Sequence, residues 1–314
     1  MAKVPASRTT FGPYVIHEEL GVGGMATVHR AELPAVDGFT RQVALKRMLP
    51  ALADSDEGLS SFLREAKLAS YLQHMNVAST YELGQIDGTY FIAMELIKGH
   101  TLHDIMNRCA QLASPMPVAI ACALISQILD ALDYAHNLAD HSGQPLGIIH
   151  RDVSPSNVIV AADSGIAKLI DFGIAKASAA GMQTMNLTLK GKWAYMAPEY
   201  VEYGQIDARA DLFAVGVIAH ELLVCRPLFS AADDVTTLTR LRTLEIPAPS
   251  RANPSVPPEL DHIVLAALAR DPNQRWQTAA SMRNALAAIT QQLSLEARQR
   301  VPRGGFVRPV RDRR

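Results

Sequence analysis

Apolar and polar positions alternate over short runs through roughly the first hundred residues and then take up a helical spacing; that change divides the chain. Residues 14–20 read as a strand that runs into a glycine turn and a second strand reaching about Glu32. Residues 42–48 form a third strand, with Lys46 inside an otherwise apolar run. Over 59–72 the apolar residues recur at helical intervals. Strands at 81–84 and 90–95 are joined at Asp87-Gly88, a pair suited to the positive φ of a tight hairpin turn. Residues 96–99 break the pattern. Beyond Thr101 helices dominate: one opened by Thr101-Leu102-His103-Asp104, a long one over 117–137, an apolar one starting at Asp211, and a last one over about 278–293. Short apolar runs at 158–160 and 166–170 read as strands within that helical half. The predicted class is α+β, with a strand-rich lobe (14–95) carrying one main helix, a connection (96–99) and a helical lobe (100–293). A cleft between two such lobes is a common place for ligands. Residues 1–13 read as a loose arm and 294–314 as a basic tail.

Composition narrows the class. Of 314 residues, 48% are hydrophobic and 19% charged, as expected of a globular chain. The net charge of −1 gives no overall case for nucleic acid, but the tail holds seven arginines against Glu296 and Asp312. That local excess would suit contact with an acidic membrane surface, or solvation as a disordered tail. Three widely spaced cysteines fit a reducing compartment, without a disulfide framework or zinc knuckle. No uninterrupted apolar run has the roughly 18 residues needed to span a bilayer. No apolar core follows the N-terminal charge, so a soluble, cytoplasmic chain is expected.

The candidate chemistry centres on Ile149-His150-Arg151-Asp152-Val153-Ser154-Pro155-Ser156-Asn157. Asp152 can accept a proton from an incoming hydroxyl, and Asn157 can offer a carboxamide oxygen to a metal ion. Pro155 fixes its own φ and restricts Ser154. The turn Gly21-Val22-Gly23-Gly24-Met25-Ala26 lets backbone approach a phosphate closely and adopt unusual φ. A dinucleotide fold would need a helix after those glycines, but Thr27-Val28-His29-Arg30 reads as strand. Lys46 taken alone could equally face solvent. Glu65, with Glu57 as a rival nearer the helix start, is its candidate partner.

In this order the glycine turn, Val43-Ala44-Leu45-Lys46, His150-Arg151-Asp152 with Asn157, Asp171-Phe172-Gly173 and Ala197-Pro198-Glu199 resemble the motifs of protein kinases. The resemblance covers 14–293. Met25-Ala26 at the loop tip and the run 195–199 make it most similar to bacterial serine/threonine kinases of the eukaryotic type. It implies a two-lobed protein kinase fold and phosphoryl transfer from ATP to serine or threonine hydroxyls of a protein substrate. Mg²⁺, or alternatively Mn²⁺, would serve as cofactor, and a homodimer would serve trans-autophosphorylation. By the same resemblance Asp152 orients and deprotonates the substrate hydroxyl. Lys46, held by Glu65, grips the phosphates, and Asn157 and Asp171 hold the metal. Backbone from Gly21 to Ala26 covers the phosphates. Leu20, Val22, Val28 and Ile159 join the ATP-binding residues, Ala44 packs on the adenine, Met94 is the gatekeeper, and backbone groups of Glu95 and Ile97 hydrogen-bond the adenine. Asp211 holds the catalytic-loop backbone, and Arg275 pairs with Glu199. Arg151 would receive a phosphate from Thr184, Thr188 or Ser178.

Two positions depart from the pattern. Ser154 stands where such kinases carry a lysine, and Lys192 where they carry a threonine. The expectation is an exchange, with Lys192 reaching Asp152 and the γ-phosphate and Ser154 taking the threonine's place. The motifs leave three alternatives: a scaffold without turnover, a small-molecule kinase, and a tyrosine kinase.

Overall fold

The computed structural model describes residues 9–34, 38–53, 55–172, 193–202 and 204–300. The N-terminal lobe is a six-stranded antiparallel sheet of β1 (Thr9–Phe11), β2 (Tyr14–Val22), β3 (Ala26–Pro34), β4 (Thr40–Met48), β5 (Thr80–Ile86) and β6 (Thr89–Glu95), in the order β1-β2-β3-β4-β6-β5. A short helix, α1 (Pro50–Ala53), leads to α2 (Asp56–Tyr71), which is capped by the Ser55 hydroxyl accepting from the Gly58 amide at 3.2 Å. Strand periodicity assigns the two faces of β4. Val43 and Leu45 pack with Phe11, Tyr14 and Phe91 on one face. Met48 packs with Phe62 and Ala66 of α2 on the other, the face that also carries Ala44 and Lys46. The β5–β6 turn has φ of 47° at Asp87 and 78° at Gly88, the left-handed pair that its sequence predicts.

The C-terminal lobe begins with β7 (Gly99–Thr101), α3 (Leu102–Gln111) and α4 (Val118–His136). A three-stranded sheet, β7-β8-β9, uses β8 (Val158–Ala161) and β9 (Ala167–Leu169) and lies below the interlobe cleft. Five helices follow: α5 (Pro198–Val201), α6 (Arg209–Val224), α7 (Asp234–Thr243), α8 (Pro249–Ala252) and α9 (Pro258–Ala267). The final helix is α10 (Ala279–Arg300). α6 is the centre of this lobe and is buried continuously from Ala210 to Leu223. α4 has 19 residues and is apolar enough to cross a membrane by length and composition. Here Ala121, Leu124, Ile125, Ile128, Leu129, Leu132 and Ala135 are buried in the core beside α6.

Three boundaries differ from the sequence expectation. Residues 9–11 belong to the sheet rather than to a loose arm, because Phe11 packs edge-on against Phe91 at 5.6 Å and Thr9 pairs with Ile16. Residues 99–101 are a strand, which takes Gly99 out of the expected connection. A Cβ at Gly99 would sit 2.1 Å from the Val160 carbonyl oxygen, so this close pairing requires glycine. α10 runs past Leu293 to Arg300, so part of the expected tail is helical.

Candidate active site

The catalytic loop hangs from α6. The Asp211 carboxylate accepts the backbone amides of His150 and Arg151, each at 2.8 Å, and contacts Nε2 of His136 at 2.9 Å. Burial works to raise the Asp211 pKa; hydrogen bonding and charge from His136, charge from His150 and the Arg151 amide hold it below the ordinary carboxylate range. The bonds hold Arg151 at φ 64°, a left-handed conformation that a non-glycine residue adopts only when its surroundings impose it. The Asp152 amide donates to Nδ1 of His150 at 3.2 Å, and the buried His150 ring packs on Phe172 with centroids 4.4 Å apart.

A one-turn 3₁₀ helix at Pro155–Asn157 then carries Asn157 back toward the acid. Its Nδ2 donates to the Asp152 carbonyl at 2.8 Å and to Oδ2 of Asp152 at 2.9 Å. Both amide protons are used this way, so Oδ1 is the atom this side chain can offer a cation. β9 delivers Asp171, at φ 52°. Lys46 lies 2.6 Å from Oε1 of Glu65 and 2.8 Å from Oδ1 of Asp171. Burial would depress the Lys46 ammonium, but Asp171 and Glu65 outweigh it and raise its pKa, so the group stays charged. Burial pushes the Glu65 carboxyl up against the pull of Lys46. Glu57 is exposed at the start of α2, which leaves the pairing to Glu65.

Above these groups the glycine turn is closed by the Gly23 amide donating to the Ala26 carbonyl at 2.8 Å. Gly21 and Gly23 stay outside the left-handed region, contrary to the expectation of unusual φ. What glycine provides is open space: a Cβ at Gly21 would meet nothing within 4 Å, and one at Gly23 only the Ala26 oxygen at 3.6 Å. Leu20 and Val22 are exposed, whereas Ala26 is buried against Met48 and Phe62 and serves as wall rather than loop tip. Val28 pairs with Lys46 and Ala44 with Met94 across the sheet, and Ile159 lies in β8 between Thr101 and Lys168. The Glu95 amide donates to the Ser79 carbonyl at 2.8 Å.

The Arg275 guanidinium meets both carboxylate oxygens of Glu199 at 2.7 Å and also donates to the Ala269, Arg209 and Arg270 carbonyls. Such a buried pair is worth keeping only when its remaining donors are satisfied, as they are here. Sequence reasoning missed two connections. Lys168 meets the Glu95 carboxylate at 2.8 Å, tying β9 to the strand that enters the connection. The Tyr195 hydroxyl donates to Oε2 of Glu221 at 2.7 Å. Both pairs are far apart in the chain and belong to no local motif. Ser154 Oγ and the Tyr200 hydroxyl are buried with no hydrogen-bond partner among the described residues. They line a cavity of about 10 Å³ together with Arg151, Asp152 and Asp211. Gly24 and Met25 complete the turn, and Ile97 lies in the connection. Ser178, Thr184, Thr188 and Lys192 lie outside the described residues.

A family model for the protein kinase domain matches residues 14–287. Curated relatives include tyrosine-protein kinase MasK of Myxococcus xanthus, 36% identical over 298 residues, which are 95% of this chain and 46% of that protein. Serine/threonine-protein kinase PknH of Mycobacterium tuberculosis is 36% identical over 278 residues, 88% of this chain and 42% of that protein. The chain thus spans less than half the length of these relatives. Among solved structures, the Mycobacterium tuberculosis PknI kinase domain superimposes with a TM-score of 0.67 at 28% identity, covering 91% of this chain and 99% of that one. With Lys46, Glu65, Asp152, Asn157 and Asp171 converging in one interlobe cleft, the chain belongs to the protein kinase family.

Proposed function

We propose that this domain transfers the γ-phosphoryl group of ATP to serine or threonine hydroxyls of proteins. The observation that carries the reading is the convergence of Lys46 on both Glu65 and Asp171 while Asn157 holds Asp152. Positioning and charge neutralisation supply most of the acceleration in such transfers. Lys46 grips the nucleotide phosphates, and Asp152, fixed by Asn157 and by the Asp211-suspended loop, orients the hydroxyl and takes its proton. The Asp171 carboxylate and the Asn157 amide oxygen are hard oxygen donors of the kind Mg²⁺ takes beside nucleotide phosphates. When bound, the ion neutralises charge on the transferring group.

The Ser154 hydroxyl, buried beside Asp152 without a hydrogen-bond partner among the described residues, supports the exchange of Ser154 and Lys192, since it leaves a group there for a partner to meet. Phosphorylation of Thr184, Thr188 or Ser178, paired with Arg151, would order the segment that carries Lys192. A homodimer would allow one copy to phosphorylate the other. A second reading, tyrosine specificity, is favoured by Ser154 and by the similarity to tyrosine-protein kinase MasK. Incubation with Mg-ATP and a mixed protein substrate, followed by mapping of the modified hydroxyls, tests both. Phosphoserine and phosphothreonine, abolished by Lys46→Met and by Asp152→Asn, are expected. Phosphotyrosine alone would select the second reading, and no transfer would refute both.

A further inference from the structure

The fold brings together two of the three cysteines that the sequence spaces widely. Cys109 stands in the last turn of α3 and Cys225 is the C-cap of α6, yet both line one pocket of about 460 Å³, each on a different wall. Both thiols are free and half-buried. Ser154 and Ser156 of the catalytic loop line the same pocket, so whatever closes it acts beside Asp152 and Asn157. The third thiol, Cys122, is buried within α4; burial pushes it up to about 11 and keeps it out of thiolate chemistry.

Reach, charge and access all suit these two thiols to bond with each other. A disulfide needs Cα atoms within about 7 Å. Both residues stand at helix ends, where a chain yields most easily. Only Leu102 of α3 is buried, so the far end of that helix is lightly anchored. Burial pushes the Cys225 thiol up and so does Cys109, which puts the two sulfurs within electrostatic reach of each other. Arg226 pulls the other way; it is an exposed cation at the pocket rim, of the kind that steadies a thiolate. The pocket volume is in the range that admits a small molecule. Helix termination does not account for a thiol at this position. Cys225 has φ 58°, the left-handed conformation in which helix ends favour glycine.

We propose that Cys109 and Cys225 form a reversible disulfide on meeting a small-molecule disulfide, and that this bond draws α3 onto the end of α6, closes the pocket and slows phosphorylation of proteins. One cysteine thiolate attacks a sulfur of the small disulfide, breaks its S–S bond and expels one small thiolate, which takes up the proton the cysteine lost. The other cysteine thiolate then attacks the protein-side sulfur of the mixed disulfide and expels the second small thiol in the same way. Two protein thiols are oxidised and one small disulfide is reduced to two thiols. The effect on activity rests on the reading of the cleft as a protein-phosphorylating site; the bond itself does not. Treatment of the full chain with oxidised glutathione tests both. Peptide mapping is expected to find Cys109 joined to Cys225, with Cys122 still a free thiol. KM for a protein substrate is expected to rise about tenfold or more, the scale of a lost pocket contact, while KM for ATP is unchanged. Dithiothreitol should restore the parent values. Cys225→Gly suits the left-handed cap, and is expected to match the reduced parent and to ignore the oxidant; Cys109→Ser should behave alike. Glutathione adducts or links between chains without a Cys109–Cys225 bond, a bond that leaves the protein KM unmoved, or equal inhibition of Cys225→Gly would overturn the switch while leaving the kinase activity standing. A reduced chain that phosphorylates no protein would overturn the activity, and its control by this pair with it, whatever the mapping shows.

Discussion

Lys46 is a charged residue held almost out of water, and its surroundings explain why it tolerates that position. Removing an ammonium from water is expensive unless opposite charge replaces the solvent, and here two carboxylates do so at 2.6 and 2.8 Å. The strand itself gave no reason to choose this over a solvent-facing lysine; the choice became legible only through the order of the motifs. Ser154 is the reverse case, a small polar residue with nothing to bond among the described residues. If Lys192 supplies the cation missing there, Lys192→Ala should lower kcat by on the order of 10²–10³ with little change in KM for ATP. Ser154→Lys/Lys192→Thr should recover part of the loss. Steady-state kinetics on the two variants decide the matter, and full activity in Lys192→Ala would end the exchange idea. His220 makes a different prediction. Its Nε2 meets the Pro247 carbonyl at 2.9 Å, its Nδ1 is buried without a partner among the described residues, and burial holds its pKa below the usual value. The unfolded chain therefore takes up this proton first. Stability should fall as pH drops below about 6.5, and remain unaffected by this group above it. Urea unfolding of His220→Gln should show a shallower decline than the parent over that window. Some slope should persist from His74, which burial also holds low.

Among the elements, those with a strong period or a specific turn were readable in advance. The Asp87-Gly88 hairpin, the apolar face of α2 and the continuous run of α6 all formed where the sequence placed them. Strands β1 and β7 were missed because three residues cannot display a period; both exist through tertiary contacts, Phe11 with Phe91 and Gly99 with Val160. Helix α7 was missed because its sequence, Asp234–Thr243, is largely polar and buries only Thr237 and Leu241. Asp152, Asn157 and Asp171, proposed above for the acid and the metal, stand in local motifs, and their juxtaposition with Lys46 followed from the order of those motifs. The Glu95–Lys168 and Tyr195–Glu221 pairs join residues from separate motifs and were not legible. The β7–β8 contact carries its own test. In Gly99→Ala the added methyl collides with backbone rather than with a flexible side chain. Overpacking of that kind costs about 1–3 kcal/mol, which thermal unfolding should register as a lowered Tm.

Across the molecule, the cleft joins two halves with different support. The N-terminal half rests on the six-stranded sheet and α2, with the Glu95–Lys168 pair linking it to β9. Asn76 adds a second link, its Nδ2 donating to the Ala167 carbonyl at 2.8 Å and to Gln127 of α4 at 3.1 Å. Arg283 of α10 pairs with Asp130 of α4, so the last helix is bound to the same scaffold. The catalytic half is suspended from Asp211, near the start of the most deeply buried helix. That suspension has a consequence for solvent exchange of backbone protons. The His150 and Arg151 amides point at a carboxylate with 2% exposure, so water reaches them only when α6 itself opens. Their deuterium uptake should be as slow as that of α6, with or without nucleotide, while amides of the Gly21–Gly24 turn exchange fast and slow down when ATP is added. In Asp211→Asn the two loop amides should lose protection ahead of the helix. If Asp152 is the base proposed above, the loop that carries it would thus stay assembled until α6 opens.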